Sequence, residues 1–216
     1  MTPKDVLAAL ARIKAVPVIR AGKLEHATRA ASWLAEAGMT IVEMTLTTPD
    51  VFDGVAELRK QPRLIVGVGT ILSAQDARLA IAAGSQFLVT PCWVDGVIEL
   101  ARAANIPALI GAGTASEIWR AHTAGAAAVK VFPAATLGGP AFLKQMRAVF
   151  PDVPLMPTGG VSIETATDYL AAGGFCVGLG SELAPANALE AGDKAAVVDK
   201  ARRLLARLSP SDTIAV

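Results

Sequence analysis

Ala126-Ala127-Ala128-Val129-Lys130-Val131-Phe132-Pro133 places a lysine in the middle of an otherwise apolar, strand-like run. The run follows Ala124-Gly125, a pair suited to the left-handed residue that closes a helix. Three more runs start after such a pair, at Gly38, Gly84 and Gly173. Between these lie four runs entered at or just after a proline: Val16-Pro17-Val18-Ile19-Arg20, Gln61-Pro62-Arg63-Leu64-Ile65-Val66, Ile106-Pro107-Ala108-Leu109-Ile110 and Val153-Pro154-Leu155-Met156. Each of the four ends in glycine, at Gly22, at Gly67 and Gly69, at Gly111 and Gly113, and at Gly159 and Gly160. The order is proline-entered strand, helix, glycine-entered strand, helix, repeated four times with a period of roughly 45 residues.

The segments between the runs have helical period. Val94, Val97, Ile98 and Ala101 fall at i, i+3, i+4 and i+7, as do Ile163, Ala166, Thr167 and Leu170, and Val197, Ala201, Leu204, Leu205 and Leu208 carry the same stripe through the last segment. Ser73, Thr114 and Ser162 stand where helix N-caps are wanted. Eight strands alternating with eight helices predict a (β/α)8 TIM barrel, with the amphipathic stretch Met1 to Lys14 as an extra N-terminal helix. A doubly wound sheet is the rival. Neither Gly67-Val68-Gly69 nor Gly111-Ala112-Gly113 has the third glycine of its dinucleotide fingerprint.

A length of 216 residues without a Gly/Ser-rich or Pro-rich linker implies a single domain over 1–216. The net charge of +1, with acids and bases interspersed, offers no stripe for nucleic acid or an anionic membrane. No stretch approaches the roughly 20 apolar residues of a membrane span. The N-terminus alternates charged and apolar residues, unlike a signal peptide. Cys92 and Cys176 lie far apart and form no CxxC pair, which fits a reducing cytoplasm and suggests neither disulfide nor zinc. Hydrophobic residues make up 53% and charged ones 18%, so part of the surface is expected to be covered by other subunits.

The other seven lysines sit in polar-flanked helical segments or at their ends, where a long stem reaches water. Lys130 does not. Burial disfavours the charged form of an amine, and a neutral amine is a nucleophile suited to forming a Schiff base with a carbonyl. The second strand, Thr40-Ile41-Val42-Glu43-Met44-Thr45-Leu46, carries the only acid in such a run. Strands two and six face each other across an eight-stranded barrel, so Glu43 and Lys130 can meet at the axis. An inert ion pair is the alternative, although buried ion pairs are often no better than hydrophobic packing.

Polar groups gather at the predicted strand ends, where this fold keeps its chemistry: Arg20, Thr45 and Thr47, Thr70, and Thr90-Pro91. Singly such residues are ordinary caps, but a guanidinium suits carboxylate or phosphate recognition. The loops after strands seven and eight, Thr158-Gly159-Gly160 and Gly178-Leu179-Gly180-Ser181, have the glycine content of a phosphate site, and Ser181 is placed to cap a short helix over Glu182 to Ala191. His26 and His122 lie on helical segments without metal-ligand spacing, and there is no Walker A sequence or nucleophile-elbow serine. No metal or cofactor is called for.

These residues together resemble the 2-dehydro-3-deoxy-phosphogluconate aldolase family, also known as 4-hydroxy-2-oxoglutarate aldolase. The resemblance runs from about Pro17 to Ala191. It rests on Leu24-Glu25-His26-Ala27, Val42-Glu43-Met44-Thr45-Leu46, Gly67-Val68-Gly69-Thr70, Lys130-Val131-Phe132-Pro133-Ala134, Pro157-Thr158-Gly159-Gly160-Val161 and Gly178-Leu179-Gly180-Ser181. It implies a homotrimeric, metal-independent class I aldolase that cleaves a phosphorylated 2-keto-3-deoxy sugar acid into pyruvate and glyceraldehyde 3-phosphate. By position, Lys130 matches the Schiff-base lysine and Glu43 the general acid/base. Thr70 matches a residue near the pyruvyl carboxylate, and Gly159, Gly160 and Ser181 match phosphate binders, with Pro91, Thr158 and Gly180 completing the expected substrate contacts. Some members hold the carboxylate with an arginine at the position of Thr47. This chain lacks it, and Arg20, on the same strand face as Val16 and Val18, is expected to take over. Galactonate-type members tend to carry valine at Thr158, which favours the gluconate derivative over the galactonate one; 4-hydroxy-2-oxoglutarate is a further alternative substrate. A phosphosugar isomerase or synthase barrel is the rival function.

Overall fold

Four left-handed glycines, Gly38, Gly84, Gly125 and Gly173 (φ 106, 91, 99 and 101°), release the chain from a helix into the next strand run. A side chain would be strained at each. The computed structural model describes residues 1–209, and the last seven residues of the domain expected over 1–216 lie outside the described residues. The order is α1 (Pro3–Ile13), β1 (Ala15–Ile19), α2 (Leu24–Glu36), β2 (Ile41–Thr45), α3 (Val51–Leu58), β3 (Ile65–Gly69), α4 (Ala74–Ala82), β4 (Leu88–Val89), α5 (Val97–Ala103), β5 (Ala108–Ala112), α6 (Ala115–Ala124), β6 (Ala128–Val131), α7 (Gly139–Val149), β7 (Leu155–Pro157), α8 (Ala166–Ala171), β8 (Val177–Leu179), α9 (Ala186–Ala191) and α10 (Lys194–Leu208).

The strands form one parallel sheet in the order β7-β6-β5-β4-β3-β2-β1-β8. Isolated parallel bridges, Leu155 with Gly174 and Thr158 with Gly178, bring β7 to β8 and close the barrel. This is the (β/α)8 architecture, and the doubly wound alternative is excluded. Nearly every strand residue is buried, because helices cover the outside while side chains fill the inside. Phe87 is one such filler. Its ring lies where a β-carbon on Gly67 would stand, so the glycine of β3 makes room for the aromatic entering β4.

The extra helix α1 is capped reciprocally by Thr2 and Asp5 and buries Val6, Leu10 and Ile13. It leads into β1 and so covers the N-terminal side of the barrel, where the Met1 thioether meets Gln86 just ahead of β4. Ser73 and Thr114 cap α4 and α6 as expected. Ser162 does not cap α8. It exchanges hydrogen bonds with Thr165 in a turn, and α8 starts only at Ala166. The helix expected from Val94 likewise starts at Val97, because Gly96 takes a left-handed conformation in front of it. Pairing in β3 begins at Ile65, since Gln61 to Leu64 form a turn that delays the strand after Pro62. Cys92 is exposed, Cys176 is buried and neither is in a disulfide.

Candidate active site

All eight strands point their C-terminal ends toward one side of the sheet, and a cavity of about 730 Å3 opens there. Lys130, in the middle of β6, forms part of its floor and is only 4% exposed. Its Nζ lies 3.4 Å from Oε1 of Glu43, which rises from β2 across the axis and is fully buried. The expected meeting of strands two and six is therefore realised. The other carboxylate oxygen, Glu43 Oε2, is buried and has no hydrogen-bond partner among the described residues. A carboxylate with one lone-pair face uncommitted, beside an amine that opens on a cavity, is suited to moving protons to and from that amine.

The backbone makes room for this acid. A β-carbon on Gly69, the last residue of β3, would coincide with the Glu43 carboxylate. Gly69 was legible in the sequence only as a strand-end glycine; its contact with Glu43 depends on barrel closure. The next residue, Thr70, lines the cavity with a left-handed backbone (φ 63°). That is an outlier for a β-branched side chain, and such strain gathers at functional positions.

Gly159 and Gly160 follow β7 with successive positive φ values of 90 and 77°. This conformation is open to glycine, and at Gly160 a β-carbon would collide with Ala135. The loop is laced to the one after β6, with Thr158 C=O accepting from Ala134 N–H at 2.8 Å and Gly159 C=O accepting from Ala135 N–H at 3.0 Å. Thr158 itself is buried and packs against Gly178. Thr158, Gly159, Gly160, Gly180, Ser181 and Pro91 all line the same cavity as Lys130, Thr70 and Arg20. The expected helix cap at Ser181 is not formed. Gly180 to Ala184 make a turn in which Leu183 and Ala184 N–H groups reach Gly180 C=O, and α9 begins only at Ala186, after Pro185.

Arg20 and Thr47 separate clearly. Arg20 lines the cavity, whereas Thr47 is outside it, its hydroxyl 2.9 Å from that of Thr45, which donates to Ile19 C=O at 3.0 Å. Thr90 is occupied in the barrel wall, accepting from Gly111 N–H at 3.0 Å. In β1 and β8, Pro17 pairs with Leu179. Arg20, just past the end of β1, and the Gly180-Ser181-Glu182 turn, just past the end of the neighbouring β8, line the same cavity. Sequence reasoning missed Phe132 and Glu182 as cavity residues. Phe132 was signalled by its place two residues beyond Lys130, on the same strand face, and its ring centroid lies 5.6 Å from Nζ. Among the described residues no cluster of His, Cys, Asp or Glu has the makings of a metal site, and no helix is long and apolar enough to cross a membrane.

A family model described as KDPG and KHG aldolase matches residues 6–200. The chain is 37% identical over 207 residues to the 2-dehydro-3-deoxy-phosphogluconate aldolase of Pseudomonas aeruginosa, covering 95% of this chain and 93% of that one. It is 38% identical over 189 residues to the KHG/KDPG aldolase of Escherichia coli, covering 87% and 88%. A solved structure of KDPG aldolase from Legionella pneumophila, with pyruvate captured as a covalent carbinolamine, superposes with a TM-score of 0.84 at 29% identity, covering 92% of this chain and 97% of that one.

Proposed function

The chain belongs to the KDPG and KHG aldolase family, and on that premise we propose how its own residues cleave a carbon–carbon bond. The protein is an aldehyde-lyase of class I that splits 2-dehydro-3-deoxy-6-phosphogluconate into pyruvate and glyceraldehyde 3-phosphate. The observation that carries the assignment of roles is the contact at 3.4 Å between Glu43 and Nζ of Lys130, the lysine that floors a cavity also lined by Gly159, Gly160, Gly180 and Ser181.

The Lys130 amine attacks the C2 carbonyl, and Glu43 moves the protons that convert the carbinolamine, with loss of water, into an iminium ion. Glu43, or a water that it orients, then takes the C4 hydroxyl proton. The C3–C4 bond breaks toward the iminium nitrogen, glyceraldehyde 3-phosphate leaves and an enamine remains on Lys130. Protonation at C3 and hydrolysis of the imine release pyruvate and restore the amine. Because the iminium acts as the electron sink, the reaction needs no Lewis acid, and activity is expected to persist in EDTA.

Thr70 and Pro91 are assigned to the pyruvyl end. Gly159, Gly160, Gly180 and Ser181 are assigned to the phosphate, and Thr158 to the sugar chain between them. Arg20 is assigned to the phosphate because it lines the same cavity as the turn after the neighbouring β8, which moves it from the carboxylate role expected from the sequence. A second reading, cleavage of 4-hydroxy-2-oxoglutarate by the same lysine, is favoured by the likeness to the KHG/KDPG aldolase. A homotrimer working in the cytoplasm completes the proposal. The high apolar content of the sequence, 53% hydrophobic against 18% charged, supports burial of part of the surface against other subunits.

The test is reductive trapping. Borohydride added with pyruvate is expected to inactivate the protein and leave one reduced adduct, located by peptide mass mapping on Lys130. An adduct on another lysine, or none, sinks the mechanism.

A further inference from the structure

Glu182 is the single acid among the residues lining the cavity, and it follows Ser181 directly at the end assigned to the phosphate. A carboxylate there opposes an arriving dianion. It is also a rival for Arg20, which lines the same mouth and makes no ion pair among the described residues. If Glu182 turned to Arg20, the substrate would lose the one cation at that end of the cavity. Instead its Oε1 lies 3.6 Å from Nζ of Lys200 on α10, both side chains about one-third exposed. Lys200 does not line the cavity. Its route to the substrate runs through Glu182.

We propose that Lys200 is a positioning residue for phosphate recognition: by holding the Glu182 carboxylate toward α10 it leaves Arg20 free for the phosphate. The inference rests on the reading of a phosphorylated substrate. It predicts a defect confined to that part of the molecule, because imine chemistry takes place on the cavity floor, at Lys130.

The experiment measures kcat and KM for the phosphorylated sugar acid and for the same acid without phosphate. The wild type is compared with Lys200→Met, which keeps the apolar stem, with Glu182→Gln and with the double variant. Lys200→Met is expected to raise KM for the phosphorylated substrate about two- to fivefold, the range that an exposed ion pair supports, with kcat unchanged and the unphosphorylated substrate unaffected. Glu182→Gln is expected to lower that KM or leave it alone, and to erase the effect of Lys200→Met in the double variant. A Lys200→Met defect that persists in the Glu182→Gln background, that falls equally on both substrates, or that appears only as lost thermal stability overturns the proposal. Wild-type indifference to the phosphate overturns the substrate reading and this inference together. Wild-type preference with no effect of Lys200→Met overturns the inference alone.

Discussion

Two ion pairs touch the cavity, with nearly equal separations of 3.4 Å for Lys130–Glu43 and 3.6 Å for Lys200–Glu182. Their surroundings differ. The inner side chains are 5% and 0% exposed, the outer ones 31% and 32%. At the same distance, charges interact several-fold more strongly away from water than near the surface. An inner pair of this kind responds strongly to any change in its surroundings, and small changes there alter chemistry. The outer pair is hydrated and screened, worth about 0–1 kcal/mol. It is suited to steering a charged group and unsuited to reacting with one. Burial, more than distance, sorts the two into catalysis and recognition.

Breaking the inner pair has the largest expected effect. Glu43→Gln keeps the shape and removes the base, and kcat is expected to fall about 10²- to 10⁴-fold, the usual contribution of a positioned general base. Borohydride trapping of pyruvate should slow in parallel, since Glu43 is assigned to imine formation as well as cleavage. Trapping at the wild-type rate, with only cleavage impaired, would confine Glu43 to the retro-aldol step.

At the mouth the larger effect belongs to Arg20. Hydrogen bonds to charged groups contribute roughly 1.5 to 3 kcal/mol, so Arg20→Ala is expected to lower kcat/KM for the phosphorylated substrate about ten- to 150-fold. Pyruvate imine formation should remain intact, and Thr47→Ala should cost much less because its hydroxyl is engaged with Thr45. A weakened pyruvate imine in Arg20→Ala would return this arginine to the carboxylate end. A larger loss in Thr47→Ala would remove it from substrate binding.

Gly69 tests the inner region from the backbone side. Gly69→Ala places a methyl where the Glu43 carboxylate lies, and a displacement of about 1 Å in a catalytic group can cost up to roughly 100-fold. The expected loss is in kcat, with KM for the phosphorylated substrate little changed. Shortening the acid in the double variant Gly69→Ala/Glu43→Asp should recover part of it. Equal losses in the single and double variants would mean that Gly69→Ala damages the barrel and not the acid.

The barrel and its floor were legible from the sequence because each depended on local signals. Proline and glycine punctuation marked strands and helix ends, and a charged residue inside an apolar run stands out wherever it occurs, as Lys130 and Glu43 did. The contacts that needed closure were not legible. Gly69 against Glu43, Glu182 in the cavity with Lys200 behind it, and Arg20 in one cavity with the β8 turn all join segments distant in sequence, through a register that composition does not encode. Ser181 failed as a cap for a different reason: Pro185 moves the start of α9 beyond its reach.

The smallest expected effect lies away from both pairs and calibrates them. Thr114 and Glu117 cap α6, the helix that leads into β6, by a reciprocal pair of hydrogen bonds. The Gly113 N–H, followed by the Thr114 hydroxyl, holds the Glu117 carboxyl below its usual range. Thr114→Ala is expected to cost about 1 kcal/mol of stability, as losing an N-cap side chain usually does, and to leave kcat and both substrate KM values unchanged. Glu117 adds a pH signature. Its folded form loses the proton more readily than its unfolded form, so its contribution is present above the unfolded value, near 4.5, and disappears as the pH falls through the lower folded value. Denaturant unfolding should therefore show Glu117→Gln less stable than the wild type at pH 7, with the gap narrowing toward pH 3. A gap that stays constant would mean that the carboxylate charge plays no part in the cap. A change in KM for Thr114→Ala would show that substrate binding responds to general stability, and the losses assigned to Arg20 and Lys200 would then have to be measured again at matched stability.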